Sequence, residues 1–238
     1  MRNYFIFDGK DSRDFGLYTN GPDTYKSAQR KLEVISVDGR NGGYVYNSES
    51  YEDVRFAYKK CFIKPKNFEI DLAALRSFLG TSGIYKRLED SYHPDEFYLA
   101  YFDGQIEPDM LDNLKLGDFD INMVRLPQRF LKDGERWLTL TSPTTLHNEW
   151  GTKVNPLIRV VGAGTLTCGD VELEVAANNA TYLDIDSEIM QTRASDGYRN
   201  DLVTLNDQME YPFLGPADTT ITFTGFSSVK IMPRWWRL

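Results

Sequence analysis

The sequence predicts a mainly β protein built from two domains, and three observations lead to this prediction. The chain has 238 residues, which is longer than one average domain. Strand-type alternation of apolar and polar positions occurs in both halves, whereas a single segment has the spacing of a helix. Hydrophobic residues make up 41% and aromatic residues 13% of the chain, which is enough large apolar surface for a core in each domain.

The first predicted element is a hairpin near the N-terminus. Val34–Val37 and Tyr44–Tyr46 are strand-like, and the glycine-rich run Gly39-Arg40-Asn41-Gly42 stands between them. Exposed loops often carry function, and Arg40 would present a cation at the tip. These four residues are therefore the candidate interface for oligomer or partner contacts. The alternative is a plain turn with a solvated arginine.

Further strands are predicted wherever apolar residues recur at every second position, because alternate strand residues face opposite sides of a sheet. The apolar sets are Val54, Phe56 and Tyr58; Phe119, Ile121 and Met123; Val171, Leu173 and Val175; Leu183 and Ile185; and Ile221 and Phe223. The second half is therefore predicted to be all β.

One helix interrupts the strands of the first half. Asp71 is the predicted N-cap, and Gly80 ends the helix. Four apolar residues share one face at helical spacing, namely Leu72, Leu75, Phe78 and Leu79.

The polar run Leu131–Glu135 contains a glycine and predicts the domain boundary. The predicted domains are residues 1–132 and 133–238. In the second domain, Gly162-Ala163-Gly164 follows a strand and precedes another strand. No helix N-terminus is available there for a phosphate, so we interpret these residues as a hairpin turn.

Charge argues against nucleic-acid binding. The net charge is −8; residues 1–130 carry 18 basic and 21 acidic residues, and residues 131–238 carry nine and 14. Duplex DNA binding needs a basic face, which neither half offers in excess. The local cluster Lys59, Lys60, Lys64 and Lys66 is interpreted as a solvated strand edge.

No catalytic or metal-binding pattern is present in the sequence. The two histidines, His93 and His147, lie on opposite sides of the boundary, and His93 is interpreted as a structural residue hydrogen-bonded to nearby acids. The acidic series Asp184, Asp186 and Glu188 would share one solvated strand face. We therefore expect no enzyme activity, no metal and no cofactor.

The two cysteines, Cys61 and Cys168, are predicted to be reduced and buried, since they fall in different domains. The N-terminus lacks the pattern of a signal peptide, and no apolar run is long enough to cross a membrane. The expected location is a cytoplasm, unless the protein leaves it within a larger particle.

The C-terminal pair Trp235 and Trp236 is the candidate carbohydrate contact, because exposed indole rings stack on sugars. The alternative is that both rings anchor the last strand by packing.

Several segments together resemble the distal tail protein family of long, non-contractile-tailed bacteriophages of Gram-positive hosts. Their order and spacing carry the resemblance, which runs nearly end to end. The segments are Phe7–Ser12 with Asp14–Leu17, Val37–Gly42, Lys86–Phe97, Pro127–Phe130, Asn155–Val160 and Pro233–Trp236.

This resemblance implies a tail-tube-like N-terminal β domain with one helix and a galectin-like C-terminal β-sandwich. It also implies a homohexameric ring at the virion's tail tip, assembled in the host cytoplasm. The implied partners are the major tail protein of the tube, the tail-associated tip protein, the C-terminus of the tape measure protein, and receptor-binding or baseplate proteins. No nucleic acid or membrane is among them. The alternative function is a carbohydrate-binding adhesin for host cell-wall attachment.

Overall fold

The computed structural model describes residues 3–22, 26–63, 68–80, 83–107, 110–111, 115–116, 119–206 and 210–238. The chain divides into two compact units, Met1–Arg129 with Leu238, and Phe130–Arg237. Both are built mainly from strands, so the predicted mainly β fold class is confirmed.

In the described ranges of the first unit there are one α-helix, a short 3₁₀ helix at Ser12–Phe15 and a series of antiparallel strands. Its elements are β1 (Phe5–Phe7), β2 (Lys10–Asp11), β3 (Leu17–Tyr18), β4 (Gly21–Pro22), β5 (Arg30–Ile35), β6 (Tyr44–Tyr51), β7 (Val54–Ile63), α1 (Phe68–Gly80), β8 (Lys86–Asp90), β9 (Glu96–Phe102), β10 (Met110–Leu111), β11 (Lys115–Leu116) and β12 (Phe119–Arg125).

The main sheet of this unit has the order β2-β1-β8-β9-β12-β7-β3, and β4 also pairs with β7. The strands predicted at Val54 and Phe119 are β7 and β12, which pair directly with each other in this sheet. Phe56, Tyr58, Phe119 and Ile121 are buried, as their alternation predicts. β5 and β6 form a separate two-stranded sheet.

Helix α1 packs on the core through the predicted face, since Leu72, Leu75, Phe78 and Leu79 are all buried. The Phe78 ring stacks on Phe15 at a centroid distance of 4.5 Å. The predicted N-cap is wrong: the helix begins at Phe68, so Asp71 lies inside it. Acidic residues are favourable both at the N-cap and in the first turn of a helix. The presence of Asp71 therefore did not distinguish a cap from a position inside the helix.

The described residues of the second unit form strands and connections, with short 3₁₀ turns at Lys132–Glu135 and Asn200–Leu202 as their only helical elements. Its elements are β13 (Arg129–Leu131, which begins at the end of the first unit), β14 (Leu138–Thr139), β15 (Thr144–Asn148), β16 (Leu157–Val161), β17 (Gly164–Cys168), β18 (Val171–Val175), β19 (Leu183–Asp186), β20 (Gln191–Ala194), β21 (Gly197–Tyr198), β22 (Val203–Leu205), β23 (Ala217–Thr224), β24 (Ser228–Met232) and β25 (Trp236–Arg237).

Two sheets enclose the core of the second unit. One has the order β14-β24-β16-β19-β20-β21, and the other has the order β15-β23-β17-β18-β22. Buried residues from both sheets meet in one cluster, including Ile158 and Ile185 from the first and Leu173 and Ile221 from the second. This unit is therefore a β-sandwich.

The interpretation of Gly162-Ala163-Gly164 as a hairpin turn is wrong. The strand before it, β16, and the strand after it, β17, belong to different sheets, so the turn crosses the sandwich. A Cβ atom at Gly164 would lie 2.1 Å from the carbonyl oxygen of Thr224. The glycine serves a close approach of two backbones here, a use that the turn pattern alone does not reveal.

Candidate assembly interface

The predicted hairpin is an exposed arm, which we define as β5, β6 and the connection between them. Leu32 pairs with Asn47, Glu33 with Tyr46, Val34 with Val45, and Ile35 with Tyr44. Every residue of β5 is exposed, although the strand is rich in apolar side chains.

Both faces of the arm are apolar. Paired residues of an antiparallel ribbon lie on the same face, and successive pairs alternate. Leu32, Val34 and Val45 therefore share one face, and Ile35, Tyr44 and Tyr46 share the other. Their exposed fractions run from 45% for Ile35 to 68% for Val34. An isolated two-stranded ribbon is at best marginally stable in water, so a ribbon with two apolar faces calls for a covering surface.

The four predicted interface residues, Gly39, Arg40, Asn41 and Gly42, come together at the tip of this arm, and all are exposed. Gly39 and Gly42 have positive φ angles of 80° and 85°, a conformation that favours glycine. The amide of Arg40 donates to the carbonyl of Val37 at 3.2 Å, which closes the turn. The sequence thus located the tip, while the apolar faces behind it were not singled out.

The base of the arm is held by the body of the first unit. The amide of Glu52 donates to the carbonyl of Gln29 at 2.8 Å, which joins the two ends of the arm to each other just outside the strands. The guanidinium of Arg125 is almost fully buried and donates to the carbonyl of Lys26 at 3.1 Å, as well as to those of Leu126 and Pro127. The chain entering the arm is therefore fixed in place even though the arm itself is uncovered.

The candidate sugar contacts Trp235 and Trp236 are both partly buried and pack against the core of the second unit. The carbonyl of Trp235 accepts from the amide of Leu131 at 2.9 Å, and the carbonyl of Trp236 accepts from the Thr152 hydroxyl at 3.0 Å. These contacts favour the anchoring role that the sequence left open beside the sugar role.

Asp184 and Asp186 are not simply solvated carboxylates. Arg159 donates two hydrogen bonds to Asp184, at 2.6 and 2.7 Å, and Arg234 donates two to Asp186, at 2.6 and 2.9 Å. Alternation placed these aspartates on the outer sheet face, but it did not identify their arginine partners. The hydrogen bonds that Arg159 donates to Asp184 raise the pKa of Arg159, which keeps this guanidinium charged.

The contacts of His93 and the burial of the two cysteines indicate structural rather than chemical roles. The His93 ring lies 3.3 Å from the Asp90 carboxylate and is largely buried, which agrees with its interpretation as a structural histidine. Asp90 also accepts from the Tyr58 hydroxyl at 3.1 Å. Cys61 and Cys168 are free and buried, as predicted, and burial raises the pKa of Cys168 to about 12.

Within the described part of the chain, no three His, Cys, Asp or Glu side chains are grouped as metal ligands would be. Among the same residues, no helix is long and apolar enough to cross a membrane.

No protein-family model matches the sequence, and no curated protein matches it. Solved structures do match. The Dit protein of phage SPP1, described as a paradigm of the hub adsorption apparatus in phages that infect Gram-positive bacteria, aligns with a TM-score of 0.74 and 15% identity over 97% of this chain and 98% of that one. Two chains of the phage P2 baseplate in its activated conformation, with calcium and with strontium, align with TM-scores of 0.56 and 0.53 and identities of 10% and 8%, each over 97% of both chains. The chain therefore has the fold of phage hub and baseplate proteins along nearly its whole length, as the sequence resemblance implied.

Proposed function

We propose that this chain is a structural component of a bacteriophage tail tip, in which six copies form a ring that connects the tail tube to the host-adsorption apparatus. The observation that carries the proposal is the arm, whose two apolar faces are uncovered on a single copy. The likeness to the SPP1 hub protein over the whole chain supports the same role.

Ring formation requires two different complementary surfaces on each copy, because a head-to-tail contact joins one surface to the other. The arm supplies one of these surfaces, and it belongs to the first unit, which we take as the tail-tube-like domain. Laying the arm on a neighbouring copy would cover the side chains of Val34, Val45, Tyr44 and Tyr46, with Arg40 reaching beyond them.

The second unit would then lie outside the ring contact, as a galectin-like sandwich available to peripheral proteins. The partners proposed for the assembled ring are the major tail protein, the tail-associated tip protein, the tape measure C-terminus and the receptor-binding or baseplate proteins. Assembly would take place in the host cytoplasm and the product would reside in the virion. The role requires no enzyme activity, cofactor or specific nucleic-acid binding.

The test is the oligomeric state of the full chain, measured by native mass spectrometry and analytical ultracentrifugation. We expect six copies for the unchanged protein and a shift to monomer for Val34→Asp. Because Val34 is exposed, its replacement should cost little stability in a single copy. In the ring, however, the introduced aspartate carboxylate would be buried without a partner. Arg40→Glu should weaken the ring while leaving the melting temperature unchanged.

Ile189→Asp is the matched control, because Ile189 is 50% exposed and belongs to the second unit, whereas the arm belongs to the first. This variant should retain six copies. A hexamer that persists in Val34→Asp would contradict the proposed role of the arm. Dissociation by Ile189→Asp to the same extent as by Val34→Asp would contradict it as well. A chain that stays monomeric at tens of micromolar would contradict self-assembly into a ring.

A further inference from the structure

We propose that the outer face of the six-stranded sheet in the second unit binds an anionic glycan, meaning a sugar chain that carries carboxylate or phosphate groups. The proposed site consists of Trp137, Arg159, Tyr182, Arg193, Tyr198 and Lys230. It differs from the Trp235–Trp236 pair and goes beyond the ring role, on which it does not depend.

A single row of side chains crosses all six strands of this sheet. Direct cross-strand partners follow one another from β14 to β21 in the order Thr139, Lys230, Arg159, Asp184, Arg193 and Tyr198. Cross-strand partners share a face, and neighbouring strands lie about 4.8 Å apart, so the row extends for about 24 Å. That length suits an extended chain lying across the strands better than a single small molecule.

The centre of the row holds one arginine in a fixed orientation. The Arg159 guanidinium carbon lies 4.0 Å from the centre of the Tyr182 ring and 4.9 Å from that of Trp137. Its two hydrogen bonds to Asp184 fix the plane of the guanidinium. A fixed planar donor with a carboxylate beside it can bond neighbouring hydroxyls without losing side-chain entropy on binding.

The end of the row is more exposed. Tyr198 is 61% exposed, and the Arg193 guanidinium lies 5.2 Å from its ring centre. An exposed ring of this kind offers an apolar face to the C–H groups of a sugar. Aromatic faces beside cations therefore recognise both parts of an anionic sugar.

Charge favours an anionic ligand. The row carries three basic residues, Lys230, Arg159 and Arg193, and one acidic residue, Asp184. By contrast, residues 131–238 as a whole carry nine basic and 14 acidic residues. The row is thus a cationic strip on an acidic unit, and such a strip attracts anions selectively at moderate salt.

The experiment measures binding of the full chain to three polymers at two salt concentrations, by affinity electrophoresis and calorimetry. Polygalacturonate supplies sugar and charge, dextran supplies sugar alone, and inorganic polyphosphate supplies charge alone. We expect polygalacturonate to bind at least about tenfold more tightly than dextran, and its affinity to fall with salt. Tyr198→Ala should weaken polygalacturonate binding at least about fivefold, and the double variant Arg193→Gln with Lys230→Gln should abolish it.

Lys153→Gln is the control, since Lys153 is an exposed lysine elsewhere on the same unit, paired with Glu210. It should bind as the unchanged protein does. Absence of polygalacturonate binding would overturn the glycan assignment. So would polygalacturonate binding that is unchanged in Tyr198→Ala and no tighter than the binding of polyphosphate. The oligomeric state of each variant is measured in parallel: a double variant that loses the ring would mark this face as a contact between copies and would also overturn the assignment. A ring that persists while glycan binding is lost supports the site.

Discussion

At the scale of single residues, partly buried aspartates in the second unit form bidentate ion pairs with arginines. Asp186 accepts two hydrogen bonds from Arg234, and both side chains are between a fifth and a third exposed. Burial by itself raises the pKa of Asp186, but the hydrogen bonds and charge of Arg234 outweigh it and hold the pKa below its usual range. The ionised carboxylate is therefore favoured by folding.

Asp186→Asn should lower the free energy of unfolding at pH 7 by roughly 1 kcal/mol, because it removes the charge that Arg234 pairs with. The folded-state pKa lies below the unfolded value of about 3.9, so this contribution is present above that pH and is lost as the pH falls through the folded-state pKa. Urea denaturation of both proteins from pH 7 down to pH 3 measures it, and the difference should shrink at the acid end. Asp170→Asn, at an exposed turn, is the control; a difference for Asp186→Asn that stays constant with pH would refute this account.

At the scale of elements, the C-terminal strand is held by a close backbone contact. The amide of Arg234 donates to the carbonyl of Gly134 at 2.8 Å, next to the bond between Leu131 and Trp235. A Cβ atom at Gly134 would lie 2.4 Å from the backbone nitrogen of Trp235. The glycine lets β25 lie against the 3₁₀ turn that follows β13.

Gly134→Ala should therefore displace this strand and lower the free energy of unfolding by about 1–3 kcal/mol, the usual cost of overpacking. Chemical denaturation followed by tryptophan fluorescence measures the loss, since Trp236 lies in the affected strand and Trp235 directly precedes it. Gly80→Ala is the control, because a Cβ atom at Gly80 would meet nothing within 4 Å. Equal stability of the two variants would show that the backbone contact does not constrain the fold.

At the scale of the whole molecule, each unit has its own buried core. The first core is rich in large aromatic and aliphatic residues such as Phe5, Tyr58 and Phe78, and the second is mostly aliphatic, as at Ile158 and Leu166. The sequence predicts a division between residues 132 and 133, and independent folding of the two parts stays a prediction. The position of the cut matters for the second part, because a fragment that starts at residue 133 lacks the hydrogen bond from the amide of Leu131 to the carbonyl of Trp235.

We expect residues 130–238 to fold as a stable fragment and residues 133–238 to be less stable, since the latter lose the strand that pairs with β25. Residues 1–129 should assemble with the same stoichiometry as the full chain, because the arm belongs to this part. Thermal denaturation and native mass spectrometry of the three fragments test both statements. A monomeric fragment 1–129 beside an oligomeric fragment 130–238 would reverse the assignment of ring closure, and equal stability of the two C-terminal fragments would remove the role of β13.

The sequence by itself determined the features that depend on local periodicity. Alternation at Val54, Phe119 and Val171 predicted strands because one face of each strand is buried, and helical spacing from Leu72 to Leu79 predicted the face of α1. The glycines at 39 and 42 predicted the turn at the tip of the arm because positive φ angles favour glycine.

Only the tertiary structure decided which elements pair and which side chains meet. The turn at Gly162–Gly164 has the composition of a hairpin, yet it connects two sheets, because β16 pairs with β19 and β24 whereas β17 pairs with β18 and β23. Asp186 finds Arg234, and Trp235 finds Leu131, for the same reason. Contacts between distant segments depend on how strands are ordered in a sheet, and alternation within one strand carries no record of its neighbours.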